Sequence, residues 1–246
     1  MLLRSMVGAI TSLAALSMQG AAPSQLERVV WRHELTEALA GSVNRGGRHG
    51  PDGWTLVAPR GFLRIELPGP APRDGAVVVR IRGVDWAQLA REVGPDKKIH
   101  LLNAFSNPAG DHHVEGGGTP SDALWTLRTG TDEQGGARYG PHLKVLWASR
   151  GAKRAPGSDY HERLLPFPEG ATWTEEQWIE FRVEWRATTG QLRIVVAGRE
   201  AIVVPWQGRG DPLRYLFLGG ATDFAGFSGA TFRQLEVLQL ASGHGP

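Results

Sequence analysis

Between residues 100 and 163 the chain carries side chains suited to holding or acting on an acidic sugar: His100, Trp125, Arg128, His142, Lys144, His161 and Arg163, with Asn103 and Tyr160 among them. Arginine, lysine and protonated histidine can neutralise a carboxylate, and an indole can stack on the apolar C–H face of a pyranose. Together they fit recognition of an acidic polysaccharide. The same residue types suit β-elimination beside a uronate. There Arg, Asn or His neutralises the carboxylate, so that the neighbouring proton becomes removable, and Tyr, His or Lys moves that proton. Noncatalytic carbohydrate binding is the expected activity. A polysaccharide lyase and a noncatalytic adhesion or structural module of the cell envelope are the alternatives.

A second cluster, Asp111-His-His-Val-Glu115, would bring Asp111, His113 and Glu115 to one face if extended. Calcium would take the oxygens of Asp111 and Glu115, whereas zinc would prefer His113. Pro108-Ala-Gly110 and Gly116-Gly-Gly118 flank the cluster and make it a loop. A solvated loop without a cofactor is the expectation, with Ca2+ as the alternative. Among the nine tryptophans, Trp185 alternates with charges and belongs to the core, while Trp125, Trp147 and Trp206 are candidates for ligand contact.

These side chains need strands to position them. Residues 178–186 read Trp-Ile-Glu-Phe-Arg-Val-Glu-Trp-Arg, with Phe181, Val183 and Trp185 alternating with Glu180, Arg182, Glu184 and Arg186. That period of two predicts a strand with one buried and one solvated face. Thr188-Thr189-Gly190 predicts a turn into a strand over 191–196, and a second turn at 197–200 leads to a strand over 201–204. Further strands are expected over 28–35, 53–57, 62–67, 76–82, 98–105, 123–128, 142–149 and 231–240, the last pairing close to the first. Residues 41–52 read as a polar loop, and 85–92 as one short helix capped by Asp85. Strand parity puts His142 and Lys144 on one face and Trp147 on the other. It also groups His100 with Leu102, opposite Asn103 and Phe105.

Gly53-Trp54-Thr55, Glu66-Leu67-Pro68 with residues 75–79, residues 178–185 with 190–198, Leu216-Phe-Leu-Gly-Gly220 and Gly226-Phe-Ser-Gly-Ala-Thr231 follow one another in a pattern that resembles the concanavalin A-like lectin and glucanase superfamily, including laminin G-like domains. The resemblance implies an all-β fold, a jelly-roll sandwich of two antiparallel sheets, and carbohydrate binding or cleavage across the concave face of one sheet. Its glucan-hydrolysing members carry several acids on one strand, two of them facing the cleft as nucleophile and acid. This chain has no Glu-x-Asp-x-x-Glu run. Glu180 and Glu184 stand beside Arg182 and Arg186, so that stretch reads as scaffold.

Composition bounds the remainder. The 246 residues suit one β-sandwich domain over 23–246, and 33 glycines with 16 prolines favour short strands and tight turns. The 27 basic residues are spread along the chain and nearly balanced by 25 acids, which argues against nucleic acid as a partner. Residues 1–22 hold Arg4, an apolar run from Met6 to Met18 and the small residues Gly20-Ala21-Ala22, the pattern of a signal peptide. A secreted or periplasmic protein without a membrane span after signal removal is therefore expected. With no cysteine, disulfides, thiol catalysis and cysteine-ligated zinc are excluded.

Overall fold

The computed structural model describes residues 27–84, 99–105, 108, 123–129, 142–147, 161–166, 174–197, 199–205, 213–221 and 225–241. Sixteen strands stand among them: β1 (Glu27–His33), β2 (Val43–Arg45), β3 (Gly47–Gly50), β4 (Gly53–Leu56), β5 (Phe62–Glu66), β6 (Asp74–Arg82), β7 (Ile99–Phe105), β8 (Ala123–Thr129), β9 (His142–Trp147), β10 (His161–Pro166), β11 (Ile179–Arg186), β12 (Gln191–Val196), β13 (Arg199–Pro205), β14 (Tyr215–Gly219), β15 (Ala225–Gly226) and β16 (Thr231–Leu240). They form two eight-stranded sheets. The first runs β13-β12-β11-β6-β16-β4-β3 with β1 also on β16, and the second runs β10-β9-β8-β7-β14-β5-β2 with β15 beside β7. All pairings are antiparallel except β15 with β7. No helix occurs among the described residues. The expected helix over 85–92, the loop at 111–115 and residues 1–22 lie outside them.

Alternation along the strands creates the core between the sheets. Ile179, Phe181, Val183 and Trp185 of β11, Val77, Val79 and Ile81 of β6, and Phe232, Leu235 and Val237 of β16 are buried with Leu63, Ile65, Leu102, Leu216 and Leu218 of the second sheet. Two buried tryptophans of the first sheet each lie against a glycine. A Cβ at Gly47 would collide with the Trp54 indole, and one at Gly75 would collide with that of Trp185. Each indole N–H still finds an acceptor, Asn44 Oδ1 at 3.1 Å for Trp54 and the Pro72 carbonyl at 2.8 Å for Trp185. The turn after β11 closes with Gly190 at φ +64°, and the buried Asp74 accepts from the Thr188 amide and hydroxyl.

The first and last of these strands pair, β1 lying antiparallel on β16 from Glu27 opposite Leu240 to His33 opposite Leu235. Residues 41–52 differ from the expected loop. They form β2 and β3, one at the edge of each sheet, because the chain crosses between sheets at Gly46, φ +69°.

The charged face of β11 also departs from the solvated strip expected of it. Glu184 is 4% exposed and accepts from Arg182 Nε at 2.6 Å, while Arg193 Nη1 lies 3.3 Å away. Arg182 also forks onto Glu27, reached at 2.6 and 3.1 Å. Burial alone would lower the Arg182 pKa, but the bonds to Glu27 and Glu184 and their charges outweigh it and raise the group above its ordinary value. A raised cation stabilises the fold in full at every pH below its unfolded pKa and loses that contribution only as pH rises on through its higher folded value. This clasp therefore stays charged throughout the neutral range and ties the first strand to the first sheet.

Candidate functional site

The second sheet turns Leu63, Ile65, Leu102, Ala104, Leu216 and Leu218 toward the core. Its other face carries Phe62, Phe105, Tyr215 and Phe217, which form a separate buried cluster with Ala221. Phe217 meets Phe105 edge-on at 5.3 Å between centroids and Phe62 at 5.4 Å. Two arginines flank this floor, the guanidiniums of Arg64 and Arg214 lying 5.8 and 5.6 Å from the Tyr215 ring centroid. Arg64 donates to the Pro108 carbonyl at 3.0 Å, and its buried Nε has no partner among the described residues. Arg214 is held by Glu66, and that bond, with Tyr215 and the Glu66 charge adding, raises its pKa above the ordinary arginine value.

Beside the aromatic floor lie two buried polar side chains, His100 and Asn103. His100 Nδ1 donates to Asn103 Oδ1 at 2.6 Å, and Asn103 Nδ2 points to the Gly219 carbonyl at 3.5 Å. This corrects the parity that separated the two residues. The β7–β8 register shifts between His100 and Leu102, so one extra residue, Leu101, is inserted and brings His100 back to the face of Asn103.

Register places the other candidates. His100 is opposite Arg128 on β8, Arg128 is opposite Lys144 on β9, and Lys144 is opposite Leu164 on β10, so positions 100, 128 and 144 make one row across three strands on the outer face. Position 142 shares that face with 144 by strand parity. A parallel row runs Val43, Arg64, Phe217, Asn103, Thr126, Leu146 and Glu162. Positions 125, 161 and 163 fall on the other side. Position 163 stands in the row of Leu63, Leu218, Leu102, Leu127 and Val145, position 161 shares its parity, and position 125 is opposite the core residue Ala104. By register and parity the candidate positions thus divide into 100, 128, 142 and 144 in the outer rows and 125, 161 and 163 in the inner ones.

Sequence reasoning did not single out Arg64, Arg214 or Tyr215 for this face. Arg64 alternates with Leu63 and Ile65, which marks it as outward. Only the strand order β5-β14-β7 brings it into the row of Asn103. Among the described residues no three or more metal-ligating side chains stand together, and Asp111, His113 and Glu115 lie outside them. No helix among the described residues is long and apolar enough to cross a membrane.

Neither protein-family models nor curated proteins give a match to the sequence. Among solved structures, the chain is similar to the ligand binding domain of botulinum neurotoxin serotype D in complex with N-acetylneuraminic acid, at 9% identity and a TM-score of 0.52, over 87% of this chain and 48% of that one. It is similar to the botulinum neurotoxin serotype D binding domain at 7% identity and a TM-score of 0.54, over 88% and 49% of the two chains. The metal-free carbohydrate recognition domain of Emp46p matches at 12% identity with a TM-score of 0.53, over 83% of this chain and 94% of that one. The chain spans about half the length of the toxin domains it matches. These likenesses show the fold, an all-β jelly-roll sandwich of the lectin-like kind.

Proposed function

We propose that this protein is a concanavalin A-like module that binds an acidic polysaccharide, without cleaving it, on the outer face of its second sheet. The observation that carries this reading is the row of His100, Arg128 and Lys144, three basic positions opposite one another with no carboxylate position among them. His142 extends the row along β9, and Arg64 adds a cation two strands away on the same face. A carboxylate-bearing glycan laid across the strands would meet Arg128 and Lys144, with His100 buried in the same row. The fold supports the reading, since two similar structures are a carbohydrate recognition domain and a domain holding N-acetylneuraminic acid. Export by the leader at residues 1–22 would bring the module to such glycans.

The test is titration calorimetry of a uronate oligosaccharide against the protein and its R128A/K144A variant. Charge-assisted hydrogen bonds contribute about 1.5–3 kcal/mol each, so the pair should weaken binding by roughly a hundredfold or more while the melting temperature stays nearly constant. Equal affinity in the two proteins would remove the site assignment.

A lyase is the second reading, and the His100–Asn103 bond favours it. A buried imidazole oriented by an amide, in a row of cations, has the parts for moving a proton beside a neutralised carboxylate. Incubation with polyuronate separates the two readings: a lyase builds up the ultraviolet absorbance of an unsaturated uronate, and a binding module does not.

A further inference from the structure

On the outer face of the first sheet, at the end away from the Arg182 clasp, arginines outnumber their carboxylate partners. Arg80 is opposite Arg233 across β6 and β16, a like-charge pair of the kind that destabilises a sheet unless something offsets it. Arg80 is bonded to Glu180 at 3.3 Å and Arg82 to Asp52 at 2.7 Å. Arg233 has no ion pair among the described residues, and its buried Nε has no hydrogen-bond acceptor there. Both Arg82 and Arg233 lie over the Trp178 ring, at 4.7 and 5.2 Å from its centroid. The indole holds two cations near each other without neutralising either. Next to them the hydroxyls of Thr55 and Thr231 are 2.9 Å apart, opposite one another on β4 and β16. Glu175 and Glu176 lie on the exposed turn before Trp178 and form no ion pair with Arg82 or Arg233 among the described residues.

Arg48 completes the row. It is opposite Thr55, which is opposite Thr231, which is opposite Arg82, so one line of positions crosses β3, β4, β16 and β6. Arg48 is exposed and has no ion pair among the described residues. At roughly 4.8 Å per strand step, Arg48 and Arg82 stand about 14 Å apart. One oxyanion cannot touch both, whereas a chain with repeated charged substituents can.

We infer that this face is a second anion site, in which Arg82 and Arg233 grip one carboxylate or sulfate of an acidic chain and Arg48 meets the next. That the chain is a polysaccharide rests on the function proposed above; the oxyanion grip does not. Half-buried guanidiniums beside an indole are charge-assisted donors to such a group, and the bound anion offsets the repulsion between Arg80, Arg82 and Arg233.

The experiment follows the arginine Nε–H resonances of the full-length protein by nuclear magnetic resonance while inorganic sulfate is added, against chloride at matched ionic strength. Saturable shifts at Arg82 and Arg233 are expected, abolished in R233Q and kept in R128A/K144A, so this site and that of the second sheet fail separately. Shifts that follow ionic strength alone, or that survive R233Q, overturn the proposal. R82Q gives the same reading should R233Q lose its amide dispersion. A sulfated or uronate oligosaccharide should then bind at least about tenfold more tightly than free sulfate, an advantage R48Q removes. An oligosaccharide no tighter than sulfate, or a glutamate oligomer that binds more tightly than either glycan, overturns the assignment to a polysaccharide.

Discussion

The outer faces of the two sheets treat charge differently. On the first sheet near β1, three arginines meet carboxylates of their own chain: Arg182 meets Glu27 and Glu184, Arg193 meets Glu184, and Arg32 meets Glu236 at 2.6 Å. On the second sheet, the row of His100, Arg128 and Lys144 holds no acid, and Glu162 stands at the far edge of the next row. Intramolecular pairing consumes the hydrogen-bonding capacity of a guanidinium, so the paired face holds the sheet together. The proposed function requires basic positions of the second sheet to keep that capacity for a ligand. On that proposal, the same residue types serve the scaffold in one place and recognition in another.

The strongest way to break this comparison is to remove what both faces share. Trp54 is fully buried in the common core, and Trp54→Ala should lower stability by about 3–5 kcal/mol in denaturant unfolding. Oligosaccharide binding should then fall only as far as the unfolded fraction requires. A loss of affinity in the fraction still folded would mean that core packing, and not the basic row, sets the site.

A cleaner cut separates the faces. Glu184→Ala leaves Arg182 bonded to Glu27 but takes a buried acceptor from both Arg182 and Arg193, and should cost about 1–3 kcal/mol of stability. Affinity for the uronate oligosaccharide should not change. If it fell as well, the clasp on the first sheet would be coupled to the second, and the division between scaffold and recognition would not hold.

The sequence discloses these two regions unequally, for physical reasons. Strands β12 and β16 match the boundaries read from alternation, and the inward set Phe181, Val183 and Trp185 is buried as expected, because a strand with one wet face writes its period into the residue types. Burial of Glu184 was not legible, since alternation marks a charge as outward and says nothing of the neighbours that cover it. Nor was the bulge at Leu101. His100-Leu-Leu-Asn103 reads as plain alternation, and the extra residue follows from the register with β8. Short edge strands such as β2 and β3, three and four residues around Gly46, carry too few side chains for a period to emerge.

The smallest expected effects sharpen the contrast. Asn103→Ala removes the acceptor 2.6 Å from His100 Nδ1 and should cost about 1 kcal/mol of stability. If His100 belongs to the site, affinity should fall a few-fold as its ring loses orientation. Arg80→Ala should register least. Arg80 and Glu180 are 44% and 42% exposed, so solvent and salt screen their pair, and the loss of stability should stay within about 1 kcal/mol. The sign is the informative part. Removing Arg80 also relieves its repulsion with Arg233 directly opposite, so the variant should be less sensitive than the parent to added sulfate, which neutralises the same repulsion. Melting curves of the two proteins with and without sulfate read this difference. Identical sulfate responses would mean that Arg80 and Arg233 do not sense one another, and that the like-charge pair on the first sheet is already offset within the protein.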